Sequence, residues 1–89
     1  MPDSIPGDDL VQLDQLILDL EQQPSASNSL MREHLEAARL YRTGGMQQEF
    51  DFNLKLATQL LPEISESGLH SRIAEFLEAR RSEQLRELV

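Results

Sequence analysis

Two histidines, His34 and His70, are the side chains of this sequence best suited to moving protons near neutral pH. Neither stands in an HExxH run, a Glu-x-x-His pair or any spacing that gathers three metal ligands. His34 falls beside the apolar stripe of a helix and reads as a packed or half-exposed histidine, and His70 reads as a surface residue. Ser65, Ser67 and Ser71 cluster without a base beside them in sequence, so no activated nucleophile is legible. Gly44-Gly45 follows a helical segment rather than a strand and has no Lys-Ser/Thr after it, which removes the phosphate-cradling reading. Carboxylates are so numerous, 16 among 89 residues, that some pair must lie close by chance, and no acid–base dyad is assigned. With no Cys in the chain, thiol nucleophiles, disulfides, thiolate-bound zinc and haem thioether attachment all drop out. The expectation is a protein that is not an enzyme and carries no cofactor and no metal.

The charges are more informative. Sixteen acids against eight bases give a formal charge of −8, which disfavours nonspecific binding to nucleic acid or to an anionic membrane surface. Residues 1–28 hold six acids (Asp3, Asp8, Asp9, Asp14, Asp19, Glu21) and no base, whereas 29–64 and 65–89 each hold five acids and four bases. Nearly all the excess therefore lies on the first helical segment and its lead-in. It reads as a solvated helix face with N-terminal capping charges, in preference to an acidic arm for a basic partner. The basic group Arg72, Arg80, Arg81 and Arg86 is interleaved with Glu75, Glu78, Glu83 and Glu87 and has no aromatic for base stacking. It reads as a solvated helix with Glu78–Arg81 and Glu83–Arg86 paired one turn apart.

Helices must position these residues. Residues 1–7 carry two Pro and a Gly and form a loose lead-in to a single helical domain over 8–89. A first helix, capped by Asp8 or Asp9, runs to about Gln22 with Leu10, Leu13, Ile17 and Leu20 at spacings of three and four. Leu16 lies beside that stripe, and Val11 and Leu18 flank it, so the apolar arc is wide enough to be shared with a second chain. Pro24 and Ser25–Ser29 form a linker. A second helix starts near Ser29 and stops at Gly44-Gly45, with Met31, Leu35, Ala38 and Tyr41 or Arg42 one turn apart. In the third, Met46, Phe50, Leu54, Ala57, Leu61 and Ile64 make a helical stripe, and Phe50, Leu54, Ala57 and Leu61 are expected in the core. Phe50, Phe52, Leu54 and Leu56 also alternate with polar residues as a half-buried strand would. No second such run exists to pair with it, so helix is preferred. After Pro62 and the loop Ser65–Gly68, a last helix spans about Leu69–Glu87, with Ile73, Phe76, Leu77, Leu85 and Leu88 as its apolar set. The fold class is all-α, four helices joined by short loops. No apolar run nears the ~18 residues of a membrane helix, and the opening MPDSIPGDD is unlike a secretory or transit leader. A cytoplasmic protein is expected.

From Met31 to Ile64 the residues Ala38, Tyr41, Gly45, Leu54, Ala57 and Pro62 stand at the spacing of a tetratricopeptide repeat, and this stretch resembles one degenerate copy of that 34-residue helical hairpin. A generic antiparallel hairpin ending in Pro shares several of these features. The resemblance implies that Ala38 allows close helix approach, that Tyr41 packs in the seam, that Gly45 turns the chain and that Pro62 closes the second helix. His34 stands where the family has Trp, and Phe50 replaces the small residue at the closest contact. The register does not continue beyond Pro62. Because such hairpins bind extended peptides or partner helices along their first helix, the resemblance implies a partner-binding face at Arg32, Leu35, Arg39 and Arg42. Their spacings of three, four and three also place them on one stripe. Three guanidiniums around one Leu could grip the carboxylates of an acidic peptide or C-terminus. The competing partners are the chain's own acids, Glu33, Glu36 and the acidic first helix, and these are preferred because they are tethered and always present.

A chain of this length buries only ~60–65% of the surface its unfolded form exposes, and a Leu-rich core without disulfides is often completed by self-association. A homodimer is expected. The function expected is protein–protein interaction, as an adaptor, chaperone-like or regulatory subunit that engages a protein partner or peptide, with no nucleic acid and no membrane. The alternatives are a DNA-associated regulator using helices two and three as a helix-turn-helix, disfavoured by charge because helix three holds only Lys55, and a purely structural oligomer.

Overall fold

In the computed structural model, which describes the backbone of residues 7–88 and the side chains of residues 10–81, the leucine periodicity resolves into four α-helices. These are α1 (Gly7–Gln22), α2 (Ala26–Thr43), α3 (Gln47–Leu60) and α4 (Ser67–Leu88), with one 3-10 turn, Leu61–Glu63, after α3. No strand occurs among the described residues. Of the lead-in expected at 1–7, residues 1–6 lie outside the described part and Gly7 opens α1. Asp8 and Asp9 therefore sit inside the first turn rather than at its cap.

Side-chain bonds to the backbone move two other boundaries. Helix α2 begins three residues earlier than its stripe predicts, because Ser25 Oγ accepts the Asn28 N–H at 3.1 Å and the Ser25 carbonyl accepts the Ser29 N–H at 2.9 Å. Asn28 is buried, and its Nδ2 donates to the Gln23 carbonyl at 2.5 Å, so the linker that joins α1 to α2 is a tight turn. Helix α4 begins at Ser67 rather than Leu69. The Glu66 carboxylate accepts the Leu69 N–H at 2.6 Å, which closes the first turn around Gly68 and takes in residues expected to be loop. The α2–α3 turn is as expected. Gly45 has φ +75°, the Met46 N–H donates to Tyr41 O at 2.9 Å and the Gly45 N–H to Arg42 O at 3.2 Å. Those paired bonds make a Schellman stop, and only glycine takes its left-handed position without strain.

The core collects one face from each helix. From α1 come Leu13, Leu16, Ile17 and Leu20; from α2, Met31, Leu35 and Ala38; from α3, Phe50, Leu54 and Ala57. Ile64 at the elbow and Leu69, Ile73, Phe76 and Leu77 of α4 complete it. Leu61, expected inside, is only half-buried against this cluster. It opens the 3-10 turn, where tightening from 3.6 to 3 residues per turn takes it off the α3 stripe. Leu85 and Leu88 have side chains outside the described residues. Helix α2 packs most extensively, on α3 and on α1. Helix α4 meets α1 and the 3-10 turn and touches α3 through few residues.

Truncating a core leucine should cost lost transfer energy plus a cavity. Leu54→Ala is expected to lower unfolding free energy by ~2–5 kcal/mol, read from urea melts. Leu40→Ala, on a side chain 69% exposed, should change it by less than ~0.5 kcal/mol. Equal effects would mean that the α3 stripe is not the core face.

Candidate functional site

The face assigned to a partner on α2 is occupied by the chain itself. Helix α1 lies along it, and its acids meet the arginines. Arg39 donates from Nε to Asp14 Oδ1 at 2.5 Å and from Nη2 to Asp14 Oδ2 at 3.4 Å, a two-pronged contact. Arg32 bonds Glu36 one turn along at 3.0 Å and lies 3.7 Å from Glu21 of α1. From the other side, Arg72 of α4 bonds Asp19. Three α1 acids are thus paired, two by α2 and one by α4.

Leu35 leaves the proposed stripe altogether: it is fully buried in the core beside Met31 and Ala38. Residues three apart on a helix sit about 60° short of a full turn. Arg32 and Arg39, seven apart, therefore look toward α1 while Leu35 looks inward. Arg42 sits over the Phe50 ring, 5.7 Å from its centre, a cation–π contact that holds the guanidinium against the hairpin. The four residues named from the sequence share one helix but not one surface.

His34 and His70 are both half-buried, and no group of three or more metal-ligating side chains occurs among the described residues. Arg81 makes no ion pair with Glu78, contrary to the one-turn pairing expected. The second expected pair, Glu83–Arg86, lies outside the described side chains. No described helix is long and apolar enough to cross a membrane.

A different concavity is left open between α3 and α4. It encloses about 610 Å³, with core residues Leu54 and Leu77 on its floor and Phe52 on its rim. Lys55 comes from the α3 wall, Arg80 and Arg81 from the α4 wall, and Asp51 is its only acid among the described lining residues. A second groove, about 450 Å³ between α2 and α3, reaches the other side of the same Phe52 ring past Tyr41 and Ala37. The sequence carried one signal for this surface: the alternation of Phe50, Phe52, Leu54 and Leu56. Phe52 is two residues, or about 200°, round the helix from Phe50. An apolar residue there cannot share the core face and must point outward. No family model, curated protein or solved structure matches this chain.

The ion pairs on α1 are exposed, so each should contribute little by itself. Double-mutant cycles on Asp14–Arg39 and Asp19–Arg72 are expected to give coupling of up to ~1 kcal/mol each, shrinking in 0.5 M salt. The Asp19 pair should be the stronger, because that carboxylate is only 20% exposed. Coupling of zero in both cycles would mean that the charges do not register α1 on its neighbours.

Proposed function

We propose that this chain is a small acidic helical module for protein–protein interaction, an adaptor, chaperone-like or regulatory subunit that works through its helix surfaces. The observation that carries the reading is Phe52. The apolar core closes without it, yet the ring stands 58% exposed between two grooves. Full burial of such a side chain is worth ~1.5–3 kcal/mol, and aromatic anchors are concentrated at the centres of protein interfaces. The likeness of residues 31–64 to a tetratricopeptide hairpin supports the same reading, since that family engages peptides and partner helices along helical surfaces.

Self-association belongs to this proposal and rests on a separate surface. Val11, 66% exposed, and Leu18, 51% exposed, stand seven residues apart on the outward stripe of α1. The described acids flanking that stripe, Asp14, Asp19 and Glu21, are paired with Arg39, Arg72 and Arg32. Two copies would lay α1 against α1 about a twofold axis with those three charges already partnered.

Two measurements test these surfaces. A photo-crosslinker in place of Phe52, in the cells that make the protein, should give a discrete adduct that the same probe in place of Ser29 does not. No adduct from position 52 beyond those of the control would remove the module reading. Light scattering across a dilution series should give a dimer, and Leu18→Glu should turn it into a monomer with unchanged helix content. A monodisperse monomer in the parent protein would end the self-association reading.

A further inference from the structure

We infer that the groove between α3 and α4 is a docking site for the acidic, amphipathic helix of another protein, with Phe52, Leu54 and Leu77 receiving its apolar edge and Lys55 and Arg81 its carboxylates. This rests on the interaction reading above and adds the partner's chemistry.

Charge placement is the first argument. The chain holds only eight bases and a formal charge of −8, yet three of those bases line this one concavity against a single acid among the described lining residues. Arg32, Arg39 and Arg72 are spent on α1. Lys55 and Arg81 are exposed and have no ion pair among the described residues. Arg80 lies over the Phe76 ring, 5.6 Å from its centre, which fixes its wall of the groove. Cations on both walls with an apolar floor between them are the complement of a helix that carries leucines on one edge and acids on both flanks.

Shape is the second. The α3 wall runs from Gln48 to Gln59, about 16 Å at 1.5 Å per residue, or three turns of a partner helix. A volume of about 610 Å³ takes the side chains along one edge of such a helix rather than the helix itself. A second copy of this chain is the weaker occupant. The described acids of its α1, Asp14, Asp19 and Glu21, are already paired inside the copy that bears them, so it would bring apolar contact without the matching charge.

The probe is a synthetic acetylated and amidated peptide of about 16 residues, four helical turns and more, with Leu at i, i+3, i+4 and i+7 and Glu on the flanks. Two controls accompany it: the same composition scrambled, and the same pattern with Lys for Glu. Binding to the intact protein is followed by fluorescence anisotropy. The acidic amphipathic peptide should bind, and raising salt from 50 to 500 mM should weaken it by about threefold or more, as local cations are screened. Phe52→Ala, and separately the pair Lys55→Gln and Arg81→Gln, should each weaken binding about tenfold, the usual scale for losing an interface anchor. All three positions are exposed, and circular dichroism checks that the variants keep the parent's helix content.

Equal binding of the scrambled acidic peptide would overturn the inference, since charge alone would then explain it. Preference for the Lys peptide, or affinity that rises with salt, would overturn it too, because the overall −8 would be in control. So would no binding by any peptide, or a dimer of the protein that dissociates on Phe52→Ala. A discrete adduct from position 52 alongside failed peptide binding would retain the interaction module and discard the acidic partner. Loss of both would discard the two together.

Discussion

The arrangement depends on one helix giving its apolar arc to two neighbours at once. Leu13, Leu16, Ile17 and Leu20 of α1 are all buried, and α1 meets α2 on one side and α4 on the other. With no Cys the chain has no disulfide to help it, so the favourable term rests on this aliphatic burial. The ion pairs from Asp14, Asp19 and Glu21 sit at the margins of the same arc. Exposed pairs of this kind add little free energy each. Their value is directional: each one penalises a rotation of α1 that would carry its leucines off the core. An acidic helix that looks like an arm for outside partners is held inside by arginines from two different helices.

That constraint explains which parts of the chain could be read in advance. Stripes of three-and-four spacing placed the buried faces of α1, α2, the middle of α3 and the described part of α4, because periodicity is a local property and burial follows it; Met46 and Leu61, towards the ends of the α3 stripe, fall outside the core. Gly45 marked its turn because only glycine takes a positive φ cheaply there. Helix starts were harder to see. Ser25 and Glu66 set them through hydrogen bonds to N–H groups three residues on, and Ser, Asn and Glu occur in loops as readily as in caps. Gly68 looked like a loop residue and sits in the first turn of α4.

The four residues named on α2 part company for a geometric reason. Arg32, Leu35, Arg39 and Arg42 fall within one broad stripe, and a stripe of that width covers both a core edge and a surface edge. Leu35 went to the core, Arg32 and Arg39 to α1 and Arg42 to the Phe50 ring, which no count of spacings along α2 can decide. The choice is made by a helix that precedes it in the chain. The charge imbalance pointed the right way: a segment with six acids and no base, followed by one with four bases, is a pair of elements suited to each other.

The open seam follows from the same packing. The four helices close a ring in the order α1, α2, α3, α4, and three of its four contacts are supported by something besides apolar burial. Helices α1 and α2 share two ion pairs, and α1 and α4 share one. Helices α2 and α3 are joined by a glycine-stopped turn and carry Arg42 over Phe50. Between α3 and α4 the described residues show no ion pair, and the link is the elbow of Leu61–Glu63, with Ile64 buried behind it. Helix α4 packs more extensively on α1 than on α3, and the space left between α3 and α4 has the core residues Leu54 and Leu77 on its floor. A ring tightened everywhere else must gap at its least supported contact, and in this chain that gap is bordered by Phe52, Lys55 and Arg81.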